Sequence, residues 1–295
     1  MQKIQESSPF NDLSLSATTI SCLQPDFCSA PQDYSDVRGK CQIYGGTGIG
    51  LVIAQTFANN GAKVYITSRR QDALNTLRNN ICGSSLAHPK GKLIPTQIKQ
   101  LLQEISKQED HIDLLANTAG ISEGKSDVEK GDQSAKDLAT ELFGKDQASW
   151  ENVYRTNVID CFFTTTAHTG SVINITSISG ITRTTQHHYK YNVSKAAAIH
   201  LSTLLAQESR RMAVQVRVNN IAPGIFPSEM TTGSSDELNK SQIPVGEDIR
   251  EKKGKPAGRP GRGEGIAQAA LMLLCNQCAY GQTLAIDGGY LFEHP

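Results

Sequence analysis

Along most of the chain, short apolar runs rich in β-branched residues alternate with longer runs in which apolar residues recur every three or four positions. The short runs predict strands, and the longer runs predict amphipathic helices. The predicted strands are residues 41–44, 63–67, 92–96, 111–117, 171–176, 214–221 and 282–286, and the predicted helices are 49–59, 71–80, 97–107, 146–167, 191–211 and 264–275. Gly61 is expected to end the first helix. This alternation predicts an α/β fold: one domain with a doubly wound parallel sheet and helices on both faces.

Three segments lack this regular pattern. Residues 1–36 are rich in Ser and Thr and are expected to form a flexible N-terminal arm, before a domain that spans residues 37–295. Residues 122–136 are polar and predict a loop. Residues 224–258 are rich in Pro, Gly, Ser and charge, and they are predicted to form a mobile loop that closes over a substrate. Within the predicted helix that precedes the fifth strand, the Phe162-Phe163 pair is expected to belong to the core.

The composition narrows the classes of protein. Lys plus Arg and Asp plus Glu each number 29, so no basic excess points to nucleic acid as a partner. No apolar run is long enough to cross a bilayer, and the first residues do not resemble a secretory signal. The seven cysteines are scattered and odd in number, which predicts free thiols and a cytoplasmic protein. Cys275 and Cys278 form a CxxC pair without a second pair, so packed thiols are favoured and no metal site is predicted.

A glycine-rich turn links the first predicted strand to the first predicted helix. Helix N-termini expose unpaired N–H groups and a partial positive charge, and glycines let the backbone approach a pyrophosphate closely. Because a second strand follows this helix, the turn predicts a dinucleotide site. The residues of the turn that are expected to contact the cofactor are Gly45, Gly46, Thr47, Gly48, Ile49 and Gly50.

The end of the second predicted strand bears on the kind of dinucleotide. NAD sites usually carry an acidic residue at this position, where it binds the ribose 2′-hydroxyl. Here the strand is followed by Ser68, Arg69 and Arg70. A guanidinium can bind a 2′-phosphate through charge-assisted hydrogen bonds, so we hypothesise that Arg69, with Ser68 beside it, selects NADP(H). The alternative is that both arginines only face solvent.

Tyr191 and Lys195 lie four residues apart on a predicted helix and therefore share one face. An ammonium beside a phenol lowers the pKa of the phenol, so the pair can act as a general acid for ketone reduction or as a general base for alcohol oxidation. By itself, the pair favours a packed tyrosine and a surface lysine over a catalytic pair. Ser177 ends a strand at the edge of the sheet where ligands bind, and its hydroxyl can donate to a carbonyl oxygen.

Seven segments together resemble the motifs of the short-chain dehydrogenase/reductase family, in the family's order. They are YGGTGIG (44–50), LANTAG (115–120), RTNVIDCF (155–162), INITSISG (173–180), YNVSK (191–195), NNIAPG (219–224) and LAIDGG (284–289). Within the family, the chain is most similar to fungal NADPH-dependent ketoreductases and to oxoacyl-carrier-protein reductases. The resemblance implies a Rossmann-like fold and an NAD(P)H-dependent oxidoreductase that reduces a ketone to a secondary alcohol, or catalyses the reverse. It also implies a small carbonyl or alcohol substrate and a homodimer or homotetramer.

The resemblance further implies roles for individual residues. Tyr191 is implied as the proton donor, Lys195 as the residue that lowers its pKa and binds the nicotinamide ribose, and Ser177 as the hydroxyl that orients the carbonyl. Asn157 is implied to support a water relay to Lys195. Further contacts with the cofactor are implied for Asn117, Ala119, Gly120, Pro223, Gly224 and Ile225.

The chain departs from the family pattern in several places. The phosphate turn is one residue short, and Thr118 stands where the family has a second Asn. No Asp follows the predicted strand at residues 92–96, and the connection between Asn157 and Ser177 is short. These changes keep a second hypothesis open, in which the chain is a degraded homologue that binds a dinucleotide without turnover, as a scaffold or sensor.

Overall fold

Six parallel strands form one sheet in the computed structural model of the chain. The structure describes residues 39–68, 70–71, 73–75, 95–124, 134–210, 216–243 and 256–295. The strands are β1 (Lys40–Tyr44), β2 (Lys63–Thr67), β3 (Leu114–Asn117), β4 (Ser171–Ile175), β5 (Val218–Pro223) and β6 (Thr283–Ile286). They lie in the order β2-β1-β3-β4-β5-β6, and every neighbouring pair is parallel. The strand order reverses between β1 and β3, which is the point at which doubly wound sheets open a crevice for ligands.

Helices connect the strands, as the periodicity predicts. They are α1 (Gly48–Asn59), α2 (Pro95–Ile105), α3 (Ala135–Phe143), α4 (Gln147–Tyr154), α5 (Asp160–Thr166), α6 (Tyr189–Ser209), α7 (Glu229–Thr232), α8 (Gly263–Cys275) and α9 (Tyr290–Glu293). One π-helical turn, Arg155–Ile159, joins α4 to α5. The predicted helix at 146–167 is therefore confirmed, except that its middle residues are π-helical instead of α-helical. The predicted helix at 71–80 is helical at residues 71 and 73–75, and residues 76–80 lie outside the described part of the chain.

The core lies on both faces of the sheet. On one face α1 and α8 pack against the strands, where Phe57 and Leu271 belong to the same buried cluster as Ile43. On the other face α2 and α6 cover the sheet, and Leu101 and Leu115 are among the buried residues there. Because apolar side chains alternate toward both faces, the strands are buried on each side, as parallel sheets require. The predicted doubly wound α/β fold with helices on both faces is confirmed.

The end of α1 shows how local sequence sets these boundaries. Gly61 has a φ of +87°, a left-handed conformation that suits glycine. Its N–H donates to the carbonyl of Ala58, and the N–H of Ala62 donates to the carbonyl of Phe57. These bonds satisfy the last carbonyls of the helix and turn the chain into β2, so the predicted role of Gly61 is confirmed.

The prediction of a strand at residues 92–96 is wrong for the part that the structure describes. Pro95 and Thr96 form the first turn of α2, and residues 92–94 lie outside the described residues. Proline suits the first position of a helix, because its φ is already helical and its missing N–H would have no partner there. The apolar residues before Pro95 favoured a strand in the sequence prediction and outweighed the preference of proline for the start of a helix.

Two other boundaries differ from the sequence prediction. The predicted loop at 122–136 ends in α3, which begins at Ala135 because the Ser134 hydroxyl accepts the N–H of Asp137 as an N-cap. Of the strand predicted at 214–221, residues 214 and 215 lie outside the described residues, residues 216 and 217 are not in the strand, and β5 runs from Val218 to Pro223. The side chain of Arg217, just before β5, instead donates to the carbonyls of Leu273 and Leu274 at the C-terminus of α8.

Two expectations about side chains are wrong. Phe162 and Phe163 are 38% and 36% exposed, because the inward face of α5 carries Thr164 and Thr165 instead. Cys275 and Cys278 are free and exposed rather than packed together, because α8 ends at Cys275 and the chain then turns along the surface.

Parts of the domain prediction fall on residues that the structure does not describe. The predicted arm, residues 1–36, lies outside the described residues, and so do residues 244–255 of the predicted loop at 224–258. The described beginning of that loop contains α7, which a capping box at Ser228 and Thr231 starts. None of the described helices has both the length and the apolar character needed to cross a membrane.

Candidate active site

The glycine-rich turn between β1 and α1 packs closely against the side chain of Thr118. Gly45 has a φ of +145°, and its N–H donates to the carbonyl of Thr67 at the end of β2. A methyl group on Gly45 or on Gly50 would overlap the hydroxyl of Thr118. That hydroxyl donates to the carbonyl of Tyr44 at 2.5 Å. Thr118, which departs from the family pattern, therefore ties the turn to the end of β3.

The start of α1 has the properties of a phosphate site. Gly48 has a φ of +51°, and Thr47, the N-cap residue, makes no capping hydrogen bond through its side chain to any described residue. No acidic residue lies in the first turn, so the N–H groups there keep their partial positive charge for an anion. Ile49 points back and packs on the core. These residues fit the diphosphate of a dinucleotide, although the turn is one residue short.

A cluster of polar side chains lies beside the turn, at the end of β2. Arg69 lies outside the described residues, so the structure gives no position for it. The Ser68 hydroxyl accepts the N–H of Arg70 at 3.2 Å. Arg70 forms an ion pair with Glu229 of α7, with 2.6 Å between Nη2 and Oε2. The hypothesis that Arg69 binds the 2′-phosphate therefore stays a prediction. Its neighbour Arg70 contacts the loop that follows β5.

Ser177 and Tyr191 come together at the C-terminal end of β4. Ser177 is the N-cap of the short 3-10 helix Ile178–Gly180, and its Oγ accepts the N–H of Ser179 at 3.1 Å. The Ser177 side chain lies close enough to the phenol of Tyr191 to lower the pKa of that phenol. The strand end and the half-buried tyrosine therefore bring the two hydroxyl groups to the same side of the crevice.

Lys195 lies one helical turn after Tyr191 and is 3% exposed. Its Nζ lies 5.7 Å from the centre of the Tyr191 ring and donates to the carbonyl of Ile175 at 2.9 Å. Burial lowers the pKa of Lys195 to about 8. The ammonium is thus held beside the phenol by the end of β4.

The direction of the Tyr191 pKa differs from the sequence expectation. Burial raises the pKa of Tyr191 above its ordinary value, and the nearby Ser177 side chain opposes this shift only in part. The expectation of a lowered pKa is therefore wrong for this structure. The physical reason is that desolvation disfavours the phenolate, while the neighbouring Lys195 is itself made less basic by burial.

Asn157 lies in the π-helical turn and is 3% exposed. Its amide donates to the carbonyl of Ile121 and to the Ser194 hydroxyl, both at 2.9 Å, and its Oδ1 accepts the N–H of Ile121 at 3.0 Å. A Cβ on Gly120 would lie 3.2 Å from Lys195 Nζ and 3.5 Å from Asn157 Oδ1. Gly120 therefore allows Asn157 and Lys195 to approach the same point of the backbone. π-helical turns of this kind often occur at functional sites.

Asn117 is the predicted cofactor residue whose side chain turns away from the crevice. Its amide donates to Asn174 Oδ1 at 2.8 Å and to Thr165 Oγ1 at 3.2 Å. The Asn174 amide in turn donates to the Ser202 hydroxyl of α6. This buried ladder ties β3, β4 and α6 together, so only the backbone near Asn117, followed by the half-buried Ala119, lies toward the ligand side.

The segment after β5 closes the other side of the crevice. Pro223 pairs with Ile286 in the sheet, and the N–H of Gly224 donates to the Ile286 carbonyl at 2.9 Å. A Cβ on Gly224 would lie 2.9 Å from the Cα of Asp287, so glycine is required for this close approach. The carbonyl of Ile225 accepts the N–H of Gly261.

Sequence reasoning missed a chain of polar contacts that joins the C-terminal helix to Ser177. Tyr290 Oη accepts the Gln186 amide at 2.9 Å, and Gln186 Oε1 accepts the Ser179 hydroxyl at 2.6 Å. Gln186 and His187 have φ values of +49° and +60°, so this contact holds a loop with uncommon backbone angles just before Tyr191. No local pattern could have revealed it, because Gln186 and Tyr290 are 104 residues apart.

Comparisons with known proteins agree with this architecture. A family model described as enoyl-(acyl carrier protein) reductase matches residues 45–291. The chain is 30% identical to the short-chain dehydrogenase/reductase PhomF′ of Diaporthe leptostromiformis, over 95% of this chain and 98% of that protein. It is also 30% identical to the 3-oxoacyl-(acyl-carrier-protein) reductase FabG of Chlamydia muridarum, over 83% of this chain and 94% of that protein.

A solved structure extends the likeness to three dimensions. The RhlG/NADP active-site complex of Pseudomonas aeruginosa is 28% identical to this chain and superposes on it with a TM-score of 0.69, covering 87% of this chain and 98% of that one. The match includes a parallel sheet of the kind described above, and the family model spans both the glycine turn and the Tyr191–Lys195 helix. The chain therefore belongs to the short-chain dehydrogenase/reductase family of oxidoreductases.

Proposed function

We propose that the chain is an NADPH-dependent reductase that converts a ketone into a secondary alcohol. The meeting of Tyr191, Ser177 and Lys195 at the C-terminal edge of the sheet carries this proposal. The similarity to a 3-oxoacyl-(acyl-carrier-protein) reductase supports a carbonyl compound as the substrate class. The cofactor, when bound, supplies the hydride, and the side chains described above orient the carbonyl and supply the proton.

In this proposal Ser177 and Tyr191 face the carbonyl oxygen of the substrate. The Ser177 hydroxyl donates a hydrogen bond as negative charge develops on that oxygen, and the Tyr191 phenol then gives up its proton to it. The raised pKa of Tyr191 keeps the phenol protonated at neutral pH, which is the form that reduction of a ketone uses. Oxidation of an alcohol would instead need the phenolate, which burial disfavours.

Lys195 and Asn157 are proposed to support the proton transfer from Tyr191. The Lys195 ammonium stabilises the negative charge left on Tyr191 Oη after proton transfer and donates to the nicotinamide ribose. Asn157 fixes the backbone at Ile121 and the hydroxyl of Ser194, next to Lys195 in the chain, and so supports the path along which a proton reaches Lys195.

The cofactor is proposed to lie across the crevice at the strand ends. Its diphosphate lies at the turn formed by Gly45, Gly46, Thr47, Gly48, Ile49 and Gly50. The backbone from Asn117 through Ala119 to Gly120 flanks it, and Pro223, Gly224 and Ile225 hold its carboxamide. Ser68 and Arg69 bind the 2′-phosphate. Arg69→Ala should then raise the KM for NADPH much more than the KM for NADH, and equal effects on the two would contradict this assignment.

An exposed apolar surface supports assembly of the chain into a homodimer or homotetramer. Ile159, Phe162 and Phe163 on one helix and Val193 and Leu204 on another are each exposed by more than a third. The free thiols among the described cysteines support a reducing, cytoplasmic location. Sedimentation of wild type and of Phe163→Ser would test the assembly, with a shift toward monomer expected for the variant.

The central test is activity across a panel of ketones. Purified protein is mixed with NADPH, and the loss of absorbance of the reduced cofactor is followed with β-ketoacyl thioesters and cyclic and aryl ketones. Turnover with at least one ketone is expected. Saturable NADPH binding without oxidation by any member of the panel would reject the enzyme and leave a dinucleotide-binding protein instead.

A further inference from the structure

One group of polar side chains, at the end of β2, is not used in the proposed reaction. Glu229 of α7 accepts from Arg70 through two hydrogen bonds, Nη1 to Oε1 at 3.0 Å and Nη2 to Oε2 at 2.6 Å. Thr47 of the glycine turn donates to the same carboxylate at 3.2 Å. We call this three-residue contact the Arg70–Glu229 clasp. It joins the end of β2, the phosphate turn and the loop after β5.

The guanidinium of Arg70 is placed by its own backbone. The N–H of Arg70 donates to the Ser68 hydroxyl, and its carbonyl accepts the N–H of Leu74 within the helical residues that follow. From this position Nη2 also reaches Thr47 Oγ1 at 3.2 Å. Arg70 is therefore a cation fixed beside the phosphate turn, at the strand end where dinucleotides place the adenosine ribose.

Glu229 is held as a carboxylate in the same place. Burial alone would raise its pKa, but the hydrogen bonds from Arg70 and Ser235 and the charge of Arg70 lower it below the ordinary value. Next to it, Ser228 packs on the turn, because a Cβ on Gly48 would lie 3.1 Å from the Ser228 Cβ. The negative charge of Glu229 is therefore present at the turn at neutral pH.

A 2′-phosphate and the Glu229 carboxylate are both anions that pair with a guanidinium in a bidentate manner. If the 2′-phosphate, proposed to bind at Ser68 and Arg69, also pairs with Nη1 and Nη2 of Arg70, it displaces the Glu229 carboxylate from both of these donors. NADH carries a hydroxyl at this position, so its binding leaves the clasp intact. The clasp therefore weakens NADPH binding relative to NADH binding.

Resting on the proposed function, we infer that Glu229 is a specificity-determining residue which limits the preference for NADPH by competing with the 2′-phosphate for Arg70. Sequence gives no hint of this role, since Glu229 follows β5 and lies 159 residues from Arg70. Glu229 lies in α7, next to the substrate crevice. The ratio of the affinities for NADPH and NADH therefore also depends on the position of α7.

The test is a fluorescence titration of NADPH and of NADH with the full chain at low salt. Glu229→Gln keeps the shape of the side chain and removes its charge. Because the pair is partly exposed, with Arg70 at 47% and Glu229 at 27%, the expected gain in NADPH affinity is about fivefold, with NADH affinity changed by less than about twofold. The gain should shrink in high salt. Glu237→Gln, which removes an exposed carboxylate of the same loop, is the matched control and should change neither affinity.

A double-mutant cycle separates the inference from a general effect of charge. In an Arg70→Ala background, Glu229→Gln should no longer change the ratio of the two affinities. A second pair of probes, adenosine 2′,5′-bisphosphate and 5′-AMP, isolates the 2′-phosphate and should show the same fivefold effect on the bisphosphate alone.

The outcomes distinguish this inference from the proposed function. An unchanged NADPH affinity, or parallel changes for NADPH and NADH, would overturn the role of Glu229 while leaving the reductase intact. Persistence of the effect in the Arg70→Ala background would overturn it as well. If the wild-type chain bound neither nucleotide and neither adenosine probe, the proposed function and the inference would both fail.

Discussion

The two halves of the crevice are built in different ways. Around β4 and α6, the side chains of Asn157, Ser177 and Lys195 are each less than 7% exposed and are bonded to buried backbone or to one another. At the β1–β2 end, the Arg70 side chain is 47% exposed, and its partner Glu229 arrives from a loop on the far side of the sheet order. The side chains around β4 and α6 are fixed by burial, whereas the β1–β2 end is held by an exposed ion pair.

Departures from the family pattern fall on both halves. The phosphate turn, one residue shorter than in the family, lies on the half that depends on surface contacts and glycine geometry, and the short connection between Asn157 and Ser177 lies on the buried half. On that buried half, Asn157, Ser177 and Lys195, which are proposed to act in the chemistry, are each hydrogen-bonded to the backbone or side chains around them. Buried polar groups with satisfied hydrogen bonds hold one geometry, whereas exposed ion pairs contribute little and can exchange partners.

The largest effect is expected from removing the proton donor of the buried half. Tyr191→Phe should lower kcat for ketone reduction by about a thousandfold or more, because phenylalanine keeps the ring but has no hydroxyl proton to give to the carbonyl oxygen. The dissociation constant for NADPH should change by less than about twofold. Tyr189→Phe, two residues earlier on α6, is the control and should keep its activity. Activity retained in Tyr191→Phe would remove Tyr191 from the mechanism.

The next effect is expected at the turn, where the other half depends on glycine. In Gly50→Ala the new methyl group would meet the Thr118 hydroxyl and the Gly45 carbonyl, the latter at 2.8 Å. The free energy of unfolding should fall by about 1–3 kcal/mol, measured by urea denaturation, and NADPH binding should weaken. Gly265→Ala is matched, since Gly265 is also the third residue of a helix but meets only Ile286 at 3.7 Å. It should not destabilise the chain, and a similar loss in both variants would refute the close contact with Thr118.

The pH dependence of reduction gives a third, smaller test of the buried half. Burial lowers the pKa of Lys195 to about 8, so its ammonium is complete well below that pH and is lost as the pH rises through it. The value of kcat/KM for ketone reduction should therefore fall by about tenfold per unit above about pH 8. The Tyr191 pKa is raised, so the phenol remains protonated in this range. A profile that stayed flat through pH 8 and fell only above the ordinary pKa of a phenol would assign the titration to Tyr191 instead.

Periodicity and spacing were enough to predict the order of strands and helices and to pair Tyr191 with Lys195. Those features are local, because a helix places residues four apart on one face and a strand ends where its apolar run ends. Pro95 shows the limit of this reasoning. Its neighbours have a strand-like composition, and only the preference of proline for the first turn of a helix contradicts it.

The remaining features depend on contacts between distant parts of the chain. Glu229 meets Arg70, and Gln186 meets Tyr290, because the strand ends gather loops that are far apart in sequence. The direction of the Tyr191 pKa also belongs here, since spacing shows that an ammonium is near but does not show how much water is excluded. Such features can be read only from the folded chain.

The smallest effect is expected at the loop that leads into Tyr191. Tyr290→Phe keeps the ring that packs with Ile178 and Ala222 but removes the oxygen that accepts the Gln186 amide. One hydrogen bond contributes about 1 kcal/mol, so the KM for the ketone should rise about three- to fivefold while kcat and NADPH affinity stay nearly constant. Tyr280→Phe, at an exposed tyrosine before β6, should leave all three values unchanged. A lower kcat with an unchanged KM in Tyr290→Phe would mean that the contact acts on Ser177 and not on the shape of the substrate pocket, because Gln186 reaches Ser177 only through Ser179.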